Sequence, residues 1–147
     1  MLMVDIFSKE KRHDVMSKIK GKDTKIEIKV RYWLFHKGIR YRKNCKNILG
    51  RPDIAIKKYK IAIFVHGCFW HGHENCKYYR IPKSNIEFWQ SKIEKNRERD
   101  KKIIECLENE GWQVFVIWGC MLKEGFEGVM ESLYEDIKNV QKHIDLS

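Results

Sequence analysis

The chain has 147 residues and a formal net charge of +10, a length that fits one domain with a buried core and is too short for two. Apolar residues make up 43% and charged residues 34%, an ordinary globular mixture that disfavours disorder as the dominant state. No apolar run approaches the length that spans a bilayer, and residues 1–9 show no signal-peptide pattern, so we expect a cytoplasmic protein without a membrane partner.

The positive charge is concentrated in the first third of the chain. Residues 9–46 contain 14 Lys and Arg against four acids, whereas the rest of the chain contains 16 residues of each sign. Such a concentration predicts phosphate binding, because neutralising phosphates releases their counterions. The alternative is a solvated basic face that only improves solubility.

The first predicted elements are a basic arm and a helix. Residues 8–20 have helical spacing but many lysines, so we predict that residues 1–22 form an arm that DNA helps to order, followed by a single domain at residues 23–147. Thr24 to Glu27 has the form of a capping box, which predicts a helix to about Lys37 with Gly38 as its left-handed end. Its apolar positions are Ile26, Val30, Trp33 and Leu34.

The residues after the first helix predict three short strands, followed by a segment without periodicity. Residues 39–44 are consistent with a strand, and residues 53–56 and 61–65 with a hairpin. Residues 66–76 have no periodicity but contain three histidines, two cysteines and two adjacent aromatics, a composition typical of a functional site.

The second half of the chain is predicted to contain helix, strand and helix. Ser84 to Glu87 has the form of a second capping box, which would open a helix through Asn109 that Gly111 ends. Residues 112–118 should form a buried strand, and a final helix should begin at Glu124 or Phe126 and run to about Lys142. The predicted fold class is therefore α/β (α+β), a central sheet flanked by helices.

Four cysteine and histidine residues suggest a metal site. Cys68, His73 and Cys76 lie within nine residues, and Cys120 follows the predicted last strand. Thiolate and imidazole are the ligands that tetrahedral structural Zn²⁺ prefers. The alternative is that the cysteines are small core residues and the histidines face solvent. Cys45 and Cys106 have no histidine nearby, and we interpret both as free thiols.

Several motifs resemble those of one known family. They are Gly50 to Asp53, the run Phe64 to His73 that contains His-Gly-Cys-Phe-Trp-His, Glu87 to Trp89, Lys95 to Asp100, and Val116 to Cys120. Together they closely resemble the very short patch repair (Vsr) DNA mismatch endonucleases, and the resemblance covers about residues 8–122.

The resemblance implies both a fold and an activity. Members of this family are similar to type II restriction endonucleases in fold, with a central mixed sheet. They nick one DNA strand 5′ to the thymine of a T:G mismatch, which arises when 5-methylcytosine deaminates, and they leave a 5′-phosphate. The expected partner is double-stranded DNA with a T:G mismatch, and mismatch-repair proteins are further candidates. We expect a monomer associated with a bacterial nucleoid.

The resemblance also implies roles for individual residues. Asp53 would be the carboxylate ligand of Mg²⁺, together with the backbone carbonyl of Val65. The other implied active-site residues are Glu27, His66, His71 and Asp100. Cys68, His73, Cys76 and Cys120 would hold the structural Zn²⁺, and Phe69, Trp70 and Trp89 would insert between base pairs beside the mismatch.

Residue chemistry agrees with these assignments. Phosphodiester hydrolysis requires a group that takes a proton from water and positive charge near the phosphate oxygens. We assign His71 as the general base and His66 as a phosphate or transition-state contact, with Asp100 orienting one of the two histidines. An aromatic residue between base pairs costs less unstacking energy where pairing is already weak.

Three positions depart from the family pattern. Val65 stands where threonine is common, and the ligand loop between His73 and Cys76 is one residue longer than expected. The acid-x-lysine pair of many related nucleases is absent, since the second hairpin strand ends at His66, and this disfavours general restriction-type chemistry.

Other interpretations of the same residues stay open. The start of a strand alone would explain Asp53, capping alone explains Glu27, and Asp100 is explained as one charge on a solvated helix. We interpret Trp112 and Trp118 as core residues. Phe69 and Trp70 would point opposite ways on an extended segment, so at most one would be buried. The rival functions are a zinc-supported sensor of DNA distortion that does not cleave, and a nuclease of the same fold that cuts other DNA structures.

Overall fold

The computed structural model describes residues 24–77 and 79–146, so the predicted arm at residues 1–22 lies outside the described residues. The order helix, three strands, helix, strand, helix is confirmed within them. None of the described helices combines the length and apolar character that crossing a membrane requires. The elements are α1 (Lys25–His36), β1 (Arg42–Lys43), β2 (Ile54–Ile56), β3 (Ile61–His66), α2 (Ile86–Asn109), β4 (Gln113–Trp118) and α3 (Gly119–Leu146), with a 3₁₀ turn at Lys57–Tyr59.

The four strands form one mixed sheet in the order β1-β2-β3-β4. β1 and β2 are antiparallel, β2 and β3 form the predicted antiparallel hairpin, and β4 is parallel to β3. A parallel pair needs a crossover connection, and α2 lies within it. The carboxyl ends of β3 and β4 therefore meet at one edge, where His66 pairs with Trp118.

Alternate residues of the sheet face two separate apolar clusters. Ile54, Ile56, Ile61 and Ile63 pack with α1 and α3, whereas the intervening alanines and Phe64 pack with α2. This follows from the two-residue period of a strand. Helices therefore cover both faces of the sheet, as the sequence predicted.

The predicted beginning of α1 is confirmed. Thr24 Oγ1 accepts a hydrogen bond from the Glu27 amide at 3.2 Å, and the Glu27 carboxylate accepts one from the Thr24 amide at 2.8 Å. Val30 and Leu34 are fully buried, and Gly38 has a φ of +82°. The capping box fixes Glu27 at the start of the helix, at the edge of the sheet where β3 ends.

The second predicted capping box is wrong. α2 begins at Ile86, and its cap residue is Asn85, which has a φ of +56° and makes no side-chain capping hydrogen bond. Because the cap falls one residue after Ser84, Glu87 occupies the second helical position, and the reciprocal pairing of a capping box is lost. The predicted end of α2 is confirmed, since Gly111 follows the helix with a φ of +92°.

Three other predicted elements differ from the structure. The strand expected at residues 39–44 is reduced to Arg42–Lys43, because its partner β2 has only three residues and Ile39 turns into the core. β4 is mostly half-buried, since it is an edge strand. α3 begins at Gly119, and the predicted start near Phe126 instead marks a break at Gly125, where φ is −160° and ψ is 60°.

Candidate active site and metal centre

All five residues with a predicted catalytic role line one cleft of about 510 Å³, which we call the active-site cleft. They come from different elements: α1, the residue before β2, the end of β3, the loop that follows it, and α2. Separate chain segments thus converge on one set of acidic and imidazole side chains. The five residues are Glu27, Asp53, His66, His71 and Asp100.

Asp53, which is half-buried, and Glu27, which is buried, form a pair of neighbouring carboxyl groups. Asp53 Oδ2 accepts a hydrogen bond from the Val65 amide at 2.6 Å, and Glu27 is 8% exposed. Burial raises the pKa of Asp53 to about 8, and a hydrogen bond with the Glu27 side chain and the negative charge of Glu27 act in the same direction, whereas the Val65 amide opposes the shift. A divalent cation would relieve this repulsion, and carboxylate oxygens are the ligands that hard cations prefer, so the pair fits such an ion.

The imidazole rings of His66 and His71 are stacked face to face. Their centroids are 3.8 Å apart and their planes differ by 3°. Burial and the neighbouring His71 lower the pKa of His66 to about 3, which favours the neutral ring of His66 near neutral pH. Its Nδ1 atom is buried and has no hydrogen-bond partner among the described residues.

His71 has a carboxylate partner. Its Nδ1 atom lies 2.6 Å from Asp100 Oδ2. A carboxylate at this position favours the tautomer that carries its proton on Nδ1, which leaves Nε2 as the proton acceptor. This is the arrangement of an oriented general base.

The histidine pair is better suited to proton transfer than to joint metal binding. His66, His71 and Asp100 do present three donor atoms within 4.8 Å of one another. However, an imidazole nitrogen binds a metal in the plane of its ring, and an ion cannot lie in the planes of two parallel stacked rings. One ring would have to rotate before both could bind the same ion.

Helix α2 holds the loop that carries His71. Asn96 Nδ2 donates to the Trp70 carbonyl at 2.8 Å, and Arg97 Nε donates to the Gly72 carbonyl at 2.7 Å. These two bonds flank His71 on either side in the sequence. One helix therefore fixes both the backbone of the loop and, through Asp100, the imidazole.

Cys68, His73, Cys76 and Cys120 form the second group of potential ligands, which we call the metal cluster. Their ligand atoms all lie within 4.8 Å of one another. The Cys120 Sγ to His73 Nδ1 distance is 3.4 Å, close to the ~3.5 Å between neighbouring ligands of tetrahedral zinc. Cys120 reaches the other three because it follows β4, whose end lies beside that of β3.

The cluster fits a soft cation better than a set of ordinary core thiols. Burial raises the pKa of the Cys68 thiol to about 12, so this thiol would stay protonated at neutral pH unless a metal replaced its proton. His73 is half-buried rather than exposed, contrary to the alternative interpretation. The longer loop is accommodated, and Asn75 within it has a φ of +57°.

The two remaining cysteines lie outside the metal cluster. Cys45 is buried, and Cys106 is exposed. Among the described residues, neither belongs to a group that could hold a metal.

Phe69, Trp70 and Trp89 form an aromatic cluster next to the active-site cleft. Their ring centroids lie 5.2 to 5.8 Å apart in edge-to-face contacts. At most one of Phe69 and Trp70 was expected to be buried, and neither is: both are half-buried, and they lie on a turn rather than on an extended segment. Phe88, which the sequence interpretation missed, is 59% exposed and contacts Trp89.

The sequence interpretation also missed residues that line the cleft. Arg51 and Arg99 face it and place positive charge beside the carboxyl pair. Arg99 directly precedes Asp100 in the segment Lys95 to Asp100 that resembles the family, and this segment is the sequence signal for it. Arg51 has a φ of +49°, and the preceding Gly50 was the only sequence sign of a turn at this position.

A cleft that combines a carboxyl pair, an oriented histidine and arginines has the components of a site for phosphodiester hydrolysis. Residues 4–77 match the family described as DNA mismatch endonuclease Vsr. A type II nicking enzyme of Neisseria meningitidis is 54% identical over 82% of this chain and 86% of the relative. The DNA mismatch endonuclease Vsr of Escherichia coli is 37% identical over 92% of this chain and 86% of its own length.

The chain therefore belongs to the Vsr family of DNA mismatch endonucleases. It is a DNA endonuclease, and its substrate is DNA. A type II nicking enzyme of Xanthomonas oryzae is also similar, with 42% identity over 83% of this chain and 89% of the relative.

Proposed function

We propose that this protein nicks one strand of duplex DNA on the 5′ side of the thymine in a T:G mismatch and leaves a 5′-phosphate. This would begin the repair of deaminated 5-methylcytosine. The observation that carries the proposal is the convergence of the Asp53–Glu27 pair and the Asp100–His71 pair on one cleft. The adjacent aromatic cluster supports duplex distortion as the recognition step.

The carboxyl pair is the proposed site of Mg²⁺. Asp53 and the backbone carbonyl of Val65 would be its protein ligands, with Glu27 beside them. When bound, the ion supplies positive charge to the phosphate oxygens as negative charge develops on them. Arg51 and Arg99 add to that charge from the walls of the cleft.

His71 is the proposed general base. With Asp100 on Nδ1, its Nε2 atom takes the proton of the attacking water. His66 contacts the phosphate as a neutral donor, because its lowered pKa favours the neutral ring. Because the stacked ring of His66 is neutral, His71 can gain a proton without repulsion from a second positive charge.

The metal cluster is the proposed structural Zn²⁺ site. All four positions are filled by protein ligands, which is typical of structural rather than catalytic zinc. It would fix the loop between β3 and α2, which carries Phe69, Trp70 and His71. The mixed sheet with helices on both faces is consistent with a restriction-endonuclease-like core.

Labelled duplexes distinguish this proposal from its rivals. We expect magnesium-dependent nicking of a T:G duplex and none of a T:A or branched duplex. Asp53→Asn should abolish nicking while it keeps binding, and Asp136→Asn, an exposed carboxylate, is the matched control. Binding without nicking would indicate a distortion sensor, and preferential cutting of branched DNA would indicate a different nuclease.

A further inference from the structure

Trp118 was interpreted as a core residue, and the structure places it elsewhere. It is the last residue of β4, is half-buried, and belongs to neither apolar cluster of the described residues. Trp112, with which it was grouped, does pack in the cluster under α2. Trp118 therefore needs an explanation other than core packing.

The indole of Trp118 lies between the metal cluster and the catalytic histidines. It stacks on the imidazole of His73, with centroids 4.0 Å apart and planes that differ by 4°. It also meets the rings of His66 and His71 at 74°, with centroids 5.2 and 6.4 Å away. One rigid ring thus contacts a ligand of the metal cluster on its face and the stacked histidine pair in a T-shaped arrangement.

We propose that Trp118 is a positioning residue, through which the order of the metal cluster fixes the orientation of His66 and His71. The predicted change in kcat rests on the proposed function. The predicted change in the orientation and motion of the histidine rings does not.

The four rings differ in how many other contacts restrain them. His73 is constrained by its ligand position, and Trp118 is constrained by strand pairing with His66 and by Cys120 two residues later. His71 is tied to Asp100 at one nitrogen, which leaves rotation about that contact. His66 makes no hydrogen bond through Nδ1 to the described residues, so ring packing is its main restraint. Misplacement of catalytic groups by a fraction of an ångström lowers rates substantially.

The test compares two replacements of similar apolar character. Trp118→Phe keeps a planar ring and Trp118→Leu does not. We expect Trp118→Leu to lower kcat for T:G nicking by about 10-fold to 100-fold with KM nearly unchanged. The decrease in log kcat caused by Trp118→Phe should be less than about one third of the decrease caused by Trp118→Leu. Zinc content should stay at the wild-type level in both variants.

A second measurement is independent of nicking. Relaxation of ¹³C-labelled histidine rings in the zinc-loaded protein, at fixed pH, should show more motion of His66 and His71 in Trp118→Leu than in wild type. His36 and His143 should be unchanged. Trp112→Leu is the matched control and should lower the melting temperature without altering the ring motion of the site histidines.

The outcomes separate the two claims. If Trp118→Phe and Trp118→Leu have equal kcat, the positioning role is wrong. It is also wrong if the histidine rings of Trp118→Leu are as ordered as those of wild type. If Trp118→Leu does not fold, Trp118→Met takes its place as the variant without a planar ring, and wild-type kcat together with wild-type motion of His66 and His71 in Trp118→Met overturns the positioning role. Absence of nicking by the wild-type protein would contradict the proposed function alone.

Discussion

At the scale of single residues, the carboxyl group of Asp53 is the most perturbed acid of the site. Its pKa rises from 3.8 to about 8, so the folded protein binds this proton more tightly than the unfolded chain does. The resulting stability is fully present below about pH 4 and is lost as pH rises towards about 8.

This predicts a specific pH dependence in the absence of magnesium. The free energy of unfolding of wild type, minus that of Asp53→Asn, should fall by on the order of a few kcal/mol between about pH 4 and pH 8. Denaturant titrations across this range measure it, and the subtraction removes the opposite contribution of His66. A difference that is constant with pH would contradict the buried acid pair. Added magnesium should reduce the fall, because it favours the charged carboxylate.

His71 and Asp100 should behave as one unit. We expect His71→Ala to lower the single-turnover nicking rate by about 10² to 10⁴-fold, and Asp100→Asn by about 10 to 100-fold. Since Asp100 acts through His71, the double variant should be no slower than His71→Ala. Multiplied effects in the double variant would mean that Asp100 has a role of its own. Glu98→Gln, a neighbouring exposed carboxylate, is the control.

At the scale of elements, the packing of α2 against the loop after β3 decides where His71 lies. Gly72 has a φ of +59°, and a Cβ atom there would come within 2.5 Å of Ile93 and of Arg97 Nε. Glycine therefore allows the loop to approach the helix closely enough for the Arg97 hydrogen bond to form.

A pair of glycine variants tests this packing. Gly38 also has a positive φ but has nothing within 4 Å of an added Cβ, so Gly38→Ala should cost only the backbone strain, about 1 kcal/mol. Gly72→Ala should cost about 1 to 3 kcal/mol more and should also slow nicking. Chemical denaturation and nicking rates measure both effects. Equal stability of the two variants would show that the loop does not pack against α2 as described.

Parts of this element level were predictable and others were not. The Thr24 capping box and the Gly38 and Gly111 helix ends depend on local hydrogen bonds and backbone conformation, so the sequence predicted them correctly. The Ser84 box failed because Asn85 adopts a left-handed conformation and shifts the cap by one residue. The length of the first strand depended on its partner β2, which local sequence does not encode.

At the scale of the whole molecule, the metal cluster joins the end of β3, the following loop and the start of α3. A structural metal contributes its binding energy to folding. We expect Cys120→Ser to lose bound zinc and to lower the free energy of unfolding by several kcal/mol, as measured by metal analysis and denaturation. Cys106→Ser, an exposed free thiol, should keep both properties. Retention of one zinc per chain by Cys120→Ser would remove Cys120 from the ligand set.

The sequence alone predicted the residue types of the site, because the chemistry of a side chain depends on its identity. The signals were an unbroken His-Gly-Cys-Phe-Trp-His run, a Pro-Asp before a strand and four potential zinc ligands. The sequence also determined the order of elements, since periodicity and helix ends are local. Only the tertiary structure decided that Glu27 lies against Asp53, that His66 and His71 stack, and that Trp118 lies between His73 and that pair. These contacts join residues far apart in the chain, and their geometry depends on the parallel pairing of β3 with β4 and on the packing of α2.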